Sequence, residues 1–340
     1  MNNVFHDWEH MIKVYLLFLG FILALTSAAT GQTSAAELLV LEKDDKSLAI
    51  IDPSSLKVLD RVDAGEDPHE VAVSTDGLTA YITNYGAFNI PQRTISVVDL
   101  ASRKPLAPIE LPGLRAPHGI QIMGQEVYFT AEGSKAIARF DLSSRAIDWV
   151  LGIGQDRTHM LAVRGNRIFT SNVNSNTVDI IEFDTKPDIS GCKLTVVPVG
   201  TGPEGFDVSP DGAELWVANS HGGTISVVDV AEKKVVQTID PHTLMSNRLK
   251  FAPDGTMVLV SDLEKGDLII LDAKAHRETK RLSLGKSAAG ILIQPDSARA
   301  YVALPRDNSV AVLDLRSLSV IGKIETGRGP DGLAWAARDH

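Results

Sequence analysis

Apolar and polar residues alternate along most of this chain in short runs broken by Gly, Pro and Asp, the period of half-buried strands. Seven of these runs close on an acidic residue: Ala49-Ile50-Ile51-Asp52, Ser96-Val97-Val98-Asp99, Ala138-Arg139-Phe140-Asp141, Asp179-Ile180-Ile181-Glu182, Ser226-Val227-Val228-Asp229, Ile269-Ile270-Leu271-Asp272 and Ala311-Val312-Leu313-Asp314. They recur about every 44 residues, the repeat length of a four-stranded propeller blade. The pattern predicts an all-β, seven-bladed β-propeller.

Each repeat reads as four strands. An inner strand opens on a Pro-containing turn, as in Pro68-His69-Glu70-Val71 or Pro203-Glu204-Gly205-Phe206, and several break at Asp-Gly, a hairpin signal (Asp76-Gly77, Asp211-Gly212, Asp254-Gly255). A second strand follows, then the acid-closed run, then a more polar outer strand such as Lys234-Val235-Val236-Gln237-Thr238-Ile239. Residues 38–64 supply only the last three strands of a blade, and Pro330-Asp331-Gly332-Leu333-Ala334-Trp335 supplies the missing first. The C-terminal strand is therefore expected to complete the N-terminal blade and close the ring.

Ahead of the repeats, Lys13, the apolar stretch 14–25 and the small residues of 26–36 have the order of a secretory signal peptide, with cleavage expected near residue 29 or 36 and Met11 as an alternative start. The apolar core is short for a membrane span. The expected organisation is a leader over residues 1–36 and a single propeller domain over 37–340, periplasmic or secreted, monomeric, with no membrane attachment after cleavage. One cysteine, Cys192, excludes an intramolecular disulfide. A formal charge of −10 argues against a non-specific nucleic-acid binder. The basic cluster Lys274, His276, Arg277, Lys280 and Arg281 reads as a solvated outer edge.

The motifs Tyr81-Ile82-Thr83-Asn84, Trp216-Val217-Ala218-Asn219 and Tyr301-Val302-Ala303, with the Asp-Gly and Val-Val-Asp elements around them, resemble the YVTN family of extracytoplasmic propellers over residues 38–336. The resemblance implies blade geometry and export. It leaves chemistry open, because similar propellers include lactonases, a streptogramin lyase, copper- and haem-carrying reductases and binding proteins without catalysis.

Function must come from positions where the repeats differ at equivalent places. The second residue of each inner strand is His69, His118, His159, Glu204, Asn247, Ala289 and, closing the ring, Asp331. Equivalence places these at one height around the channel mouth. Three imidazoles with a carboxylate beside them, His69, His118, His159 and Glu204, are a donor set for a divalent metal. The structural alternative is that each histidine bonds a neighbouring loop and orders a blade junction. The loops after the second strands add Asn84, Tyr85, Glu132, Asn172, Asn174, Asn219, His221, Asp262 and Arg306 on the same face, although Asn also caps strand ends. Arg248, beside Asn247, is the candidate anion anchor. The segment 85–93 is longer than its counterparts, as a lid or as a surface insertion. The repeated acids are assigned to turns.

No P-loop, dinucleotide fingerprint, Gly-x-Ser-x-Gly elbow, haem-attachment motif or paired-cysteine knuckle is present. Two readings follow. In the first, His69, His118, His159 and Arg248 carry a metal-dependent, lactonase-like hydrolysis or elimination of a small anionic or carbonyl substrate. In the second, the same mouth binds a small molecule, cofactor or metal without turnover, or the ring is a protein-interaction scaffold.

Overall fold

The computed structural model describes residues 36–87, 90–187 and 191–337. The expected leader, residues 1–36, lies outside the described residues except for Ala36. Seven four-stranded antiparallel sheets are arranged as blades, and no α-helix occurs among the described residues. Blade one joins the C-terminal strand Pro330–Ala336 to Glu37–Glu42, Ser47–Asp52 and Lys57–Asp63. Blades two to seven occupy 68–110, 117–152, 158–198, 203–239, 246–283 and 291–325, each running from inner to outer strand in chain order.

The second and third strands are buried on both faces, as their near-continuous Val, Ile, Leu and Ala content requires. The outer strands are mostly exposed, which blunts the ring's perimeter with charge. The core is a set of apolar layers between successive blades. Leu39, Leu41 and Ile50 of blade one pack on Val71, Ile82 and Val98 of blade two, and Trp216 of blade five meets Phe251 of blade six edge-on at 5.5 Å.

The repeated acids are turn formers. The carboxylates of Asp52, Asp99, Asp141, Asp229, Asp272 and Asp314 accept hydrogen bonds from the backbone N–H two or three residues on.

One recurrent irregularity shapes the mouth. Directly after the first inner-strand residue the ladder shifts register, between Pro68 and Val71, Pro117 and Ile120, Thr158 and Leu161, Pro203 and Phe206, and Ser246 and Leu249. Two residues there face one on the partner strand, a bulge that frees their side chains from the sheet's alternation. The ring residue and the residue after it occupy this bulge. In blade seven, Ala289 and Gly290 instead precede the short strand Ile291–Ile293.

Candidate functional site

The bulges are pinned by hydroxyls that the sequence reading did not single out. Opposite the bulge of blade two, Thr83 Oγ1 accepts from Glu70 N–H at 3.2 Å and donates to the His118 carbonyl of blade three at 2.6 Å. Thr130 does the same between Gly119 N–H and the His159 carbonyl, both at 2.8 Å, and Ser171 between Met160 N–H and the Glu204 carbonyl. Each hydroxyl thus stitches one blade's bulge to the next blade's ring residue. The junction role lies in the histidine backbone, and the side chains are left for the channel.

Glycine after the ring residue permits the close approach. A Cβ on Gly205 would stand 2.5 Å from the Asn247 carbonyl, and one on Gly332 2.4 Å from the His69 carbonyl. Where this position is not glycine it carries Glu70, Met160 or Arg248.

All seven ring residues, His69, His118, His159, Glu204, Asn247, Ala289 and Asp331, line one cavity of about 540 Å³ at the mouth, with Lys43, Tyr85, Arg157, Arg248 and Arg306 among its other walls. The aromatic side chains cluster with their rings tilted against one another. His118 lies 3.7 Å from His159 and 4.8 Å from His69, centroid to centroid, and Tyr85 lies 4.9 Å from His69.

Each imidazole has a different chemical setting. His159 Nδ1 is 2.5 Å from Glu132 Oε1, and its Nε2 stands 4.0 Å from Glu204 Oε1. Glu132 also accepts from the Tyr85 hydroxyl at 2.6 Å, and Arg157 Nε is 3.7 Å from it. Burial pushes the Glu132 carboxyl up, but His159, Tyr85 and Arg157 outweigh it and hold the group below the ordinary carboxylate range. Burial and the Glu132 charge push the Tyr85 hydroxyl up, so it stays a donor. His69 Nε2 accepts from Lys43 at 2.6 Å and Nδ1 lies 3.0 Å from the Asp67 carbonyl. Burial, then the Lys43 charge, lower its pKa. His118 Nδ1 is buried with no hydrogen-bond partner, and burial, followed by His159 and His69, holds this imidazole neutral.

This arrangement brings the three predicted histidines together without making them a metal-ligand set. Among the described residues no three His, Cys, Asp or Glu side chains are placed to hold an ion. Both ring nitrogens of His69 are engaged, an ammonium sits on one of them, and Nδ1 of His159 is taken by Glu132. Glu204 instead accepts a short hydrogen bond from Asn247.

Other expectations are corrected. Arg248 is not a free anion anchor: its Nη2 is 2.8 Å from Glu70 Oε1. Burial opposes the Arg248 charge, but Glu70, Asp331 and Glu204 raise its pKa beyond that penalty. Asn84, Asn172 and Asn219 are buried inside their blades and do not line the cavity. Asn84 Nδ2 donates to the Ala64 carbonyl and its Oδ1 accepts from Thr94 and Ser96; Asn172 bonds Thr158, Thr177 and Asp179; Asn219 bonds Thr224 and Ser226. They tie the second strand to the third. His221 is exposed and stands off the cavity beside Gly202. Arg306 lines the mouth but is held by a two-pronged pair with Glu264 at 2.7 and 3.0 Å. Asp331 faces the cavity, and Glu132 lies behind its histidine wall. In the longer segment 85–93 the hairpin continues through Gly86 paired to Pro91 and Ala87 to Ile90, and residues 88 and 89 lie outside the described residues.

No family model matches the chain. It is 26% identical over 165 residues to the seven-bladed β-propeller protein Rv1057 of Mycobacterium tuberculosis, a match that covers 46% of this chain and 40% of the relative. The chain thus matches less than half the length of that protein. Among solved structures, a functionally unknown protein from Desulfotomaculum acetoxidans superposes with TM-score 0.73 at 16% identity over 89% of this chain and 99% of that one. A candidate 6-phosphogluconolactonase from Bacteroides fragilis superposes with TM-score 0.73 at 17% identity over 90% and 99%. At such identities the likeness is one of fold, and together with the seven closed blades it establishes the chain as a seven-bladed β-propeller.

Proposed function

We propose that the channel mouth is the active site of a hydrolase or lyase acting on a small carbonyl substrate with an anionic group, and that His159 and Glu132 are its acid–base pair. The observation that carries this is the 2.5 Å contact between His159 Nδ1 and Glu132 Oε1 in the cavity wall. A carboxylate on Nδ1 fixes the tautomer and leaves Nε2 as the acceptor, the division of labour by which an imidazole serves as general base. Tyr85 orients the far oxygen of the same carboxylate.

In lactone opening, His159 Nε2 takes a proton from the attacking water as the carbonyl carbon gains its new C–O bond, and returns it to the ring oxygen as the bond between the carbonyl carbon and that ring oxygen breaks. Glu132 stabilises the imidazolium between the two steps. His118, neutral and against His159, keeps the wall from accumulating a second positive charge. Arg157, held among the described residues only by the 3.7 Å approach of its Nε to Glu132, takes the anion-orienting role that Arg248 is too tightly paired to fill. A lactonase activity agrees with the description of the Bacteroides fragilis structure, which at 17% identity supports no more than the fold. Membership of the YVTN family and export on the leader belong to the same reading, and a shortened chain in the periplasmic fraction of a Gram-negative host tests the export.

A panel of γ- and δ-lactones tests the reaction. Hydrolysis above the buffer rate, abolished in His159→Ala and Glu132→Gln and retained after chelation, is expected; the absence of turnover on every lactone and ester tried contradicts it. Binding without turnover is the second reading, favoured by the unpaired, buried His118 Nδ1, an acceptor or donor that a bound ligand would satisfy.

A further inference from the structure

A second cavity, of about 510 Å³, adjoins the mouth on the same face. Tyr85 and Arg157 line both cavities, so this pair forms the partition between them. Glu132 belongs to the wall of the second, while its Oε1 reaches the imidazole that faces the first. The acid–base pair therefore spans the partition.

The second cavity exists because blade two departs from the repeat. Its second and third strands, Thr79–Ala87 and Ile90–Asp99, have 9 and 10 residues, where blade five has 6 and 6. The extra length carries Ala87 and Pro91 over the site as one wall. In a ring built from near-identical units, an elaboration that encloses a cavity beside the reactive wall is a feature the fold does not need. The lining also has a definite chemistry. Ala87, Pro91, Ala116 and the Tyr85 ring are apolar, and two guanidiniums, Arg115 and Arg157, share the lining with them. Asp156 is engaged with Lys135 at 3.3 Å and Glu132 with His159; Arg157 approaches Glu132 only through Nε at 3.7 Å and Arg115 gives one Nη2 bond to the Gly133 carbonyl, so the remaining guanidinium N–H groups of both arginines are left for an anion.

We infer that this second cavity is a subsite for the distal part of the substrate, and that this part is an apolar chain or ring ending in a single anionic group, carboxylate, sulfonate or phosphate. The inference rests on the proposed acid–base reading, because it places the reacting carbonyl on the mouth side of the Tyr85–Arg157 partition and the tail on the other. It also assigns the extended hairpin as a specificity element.

The test is a binding measurement that needs no turnover. The full mature chain is titrated with 8-anilinonaphthalene-1-sulfonate, an apolar ring system with one anion, and with the uncharged N-phenyl-1-naphthylamine. Saturable binding of the sulfonate is expected, with the neutral compound about tenfold weaker. The double variant Arg115→Ala/Arg157→Ala is expected to weaken the sulfonate by about tenfold, and Ala87→Trp, which fills the cavity from an exposed strand end, to abolish binding. His159→Ala is expected to change it by less than about twofold. Melting curves for each variant separate lost binding from lost folding. Unchanged affinity in the double variant or in Ala87→Trp, a loss confined to His159→Ala, or no binding by the wild type overturns the inference. Failure of the acid–base reading shows instead as absent lactone hydrolysis and leaves these affinities where they are.

Discussion

Glu70 and Arg248, 178 residues apart in sequence, meet at 2.8 Å across the central channel and join blade two to blade six. Both occupy the bulge position after the ring residue, where four of the other five blades carry glycine, so the pair bars the channel beside the histidine wall. The Arg248 side chain is buried and that of Glu70 is 16% exposed, and burial raises the Glu70 pKa against the pull of Arg248.

Removing one partner should therefore cost more than removing both. Arg248→Met is expected to destabilise by about 3–5 kcal/mol, because Glu70 is left buried without its counter-charge. Glu70→Leu/Arg248→Met should recover most of that loss. Urea unfolding of the two variants measures the difference, and equal stability in the single variant and the wild type would show the pair to be open to water.

His118 gives the stability a pH dependence. Its pKa is held well below the ordinary 6.5 in the folded chain, by burial first and then by His159, His69, Arg248 and Lys43. Below that value the unfolded chain binds the proton and the folded chain does not, so stability rises with pH. The contribution is complete above about pH 6.5 and erodes on acidification, by up to about 2 kcal/mol at pH 5. His118→Phe, which keeps an aromatic ring in the cluster, should flatten the slope between pH 7 and 5; an unchanged slope refutes this origin.

Asp179 acts in the opposite sense. It occupies the third-strand position that holds Ser96 and Ser226 in blades two and five, its Oδ1 is buried without a partner, and burial raises its pKa above 3.8 despite Asn172 and Thr170. A carboxyl whose folded pKa is raised is most favourable when protonated, and its contribution is lost as pH rises through that range. Asp179→Asn keeps an acceptor for Thr170 and removes the charge, and should raise stability at pH 7 by about 1 kcal/mol. A lower melting temperature in the variant would show the carboxylate to be favourable.

The C-terminal strand should be indispensable. Leu38 pairs with Trp335 and Leu39 with Ala334, and Leu39, Leu41 and Ala334 share one apolar layer. Deleting residues 330–340 bares that edge, and loss of cooperative unfolding or aggregation is expected. A truncated chain that melts like the full one contradicts closure by this strand.

The blades, the closing strand and the ring of seven mouth positions were legible because each depends on a repeated local pattern that the chain displays seven times. The pairing of His159 with Glu132 was not, because it joins a bulge residue of blade four to a loop of blade three, and nothing in either segment announces the other. Glu70 and Arg248 were hidden for the same reason over a far longer separation. Asn84, Asn172 and Asn219 were misleading as ligands. Their recurrence at one strand position was the signal of a structural role, since a repeat element needs the same bond in each blade, whereas a site needs its residues to differ. The hydroxyls Thr83, Thr130, Ser171 and Ser261 carried a comparable signal, and it becomes readable once the bulges they face are known.

The most direct test of the acid–base account is the rate of δ-lactone hydrolysis by the purified protein, measured beside His159→Ala and Glu132→Gln in the presence of a chelator. The account predicts turnover in the wild type and a fall of about 100-fold or more in each variant, with melting temperatures little changed. Variants as active as the wild type, or a wild type no faster than buffer, would contradict it.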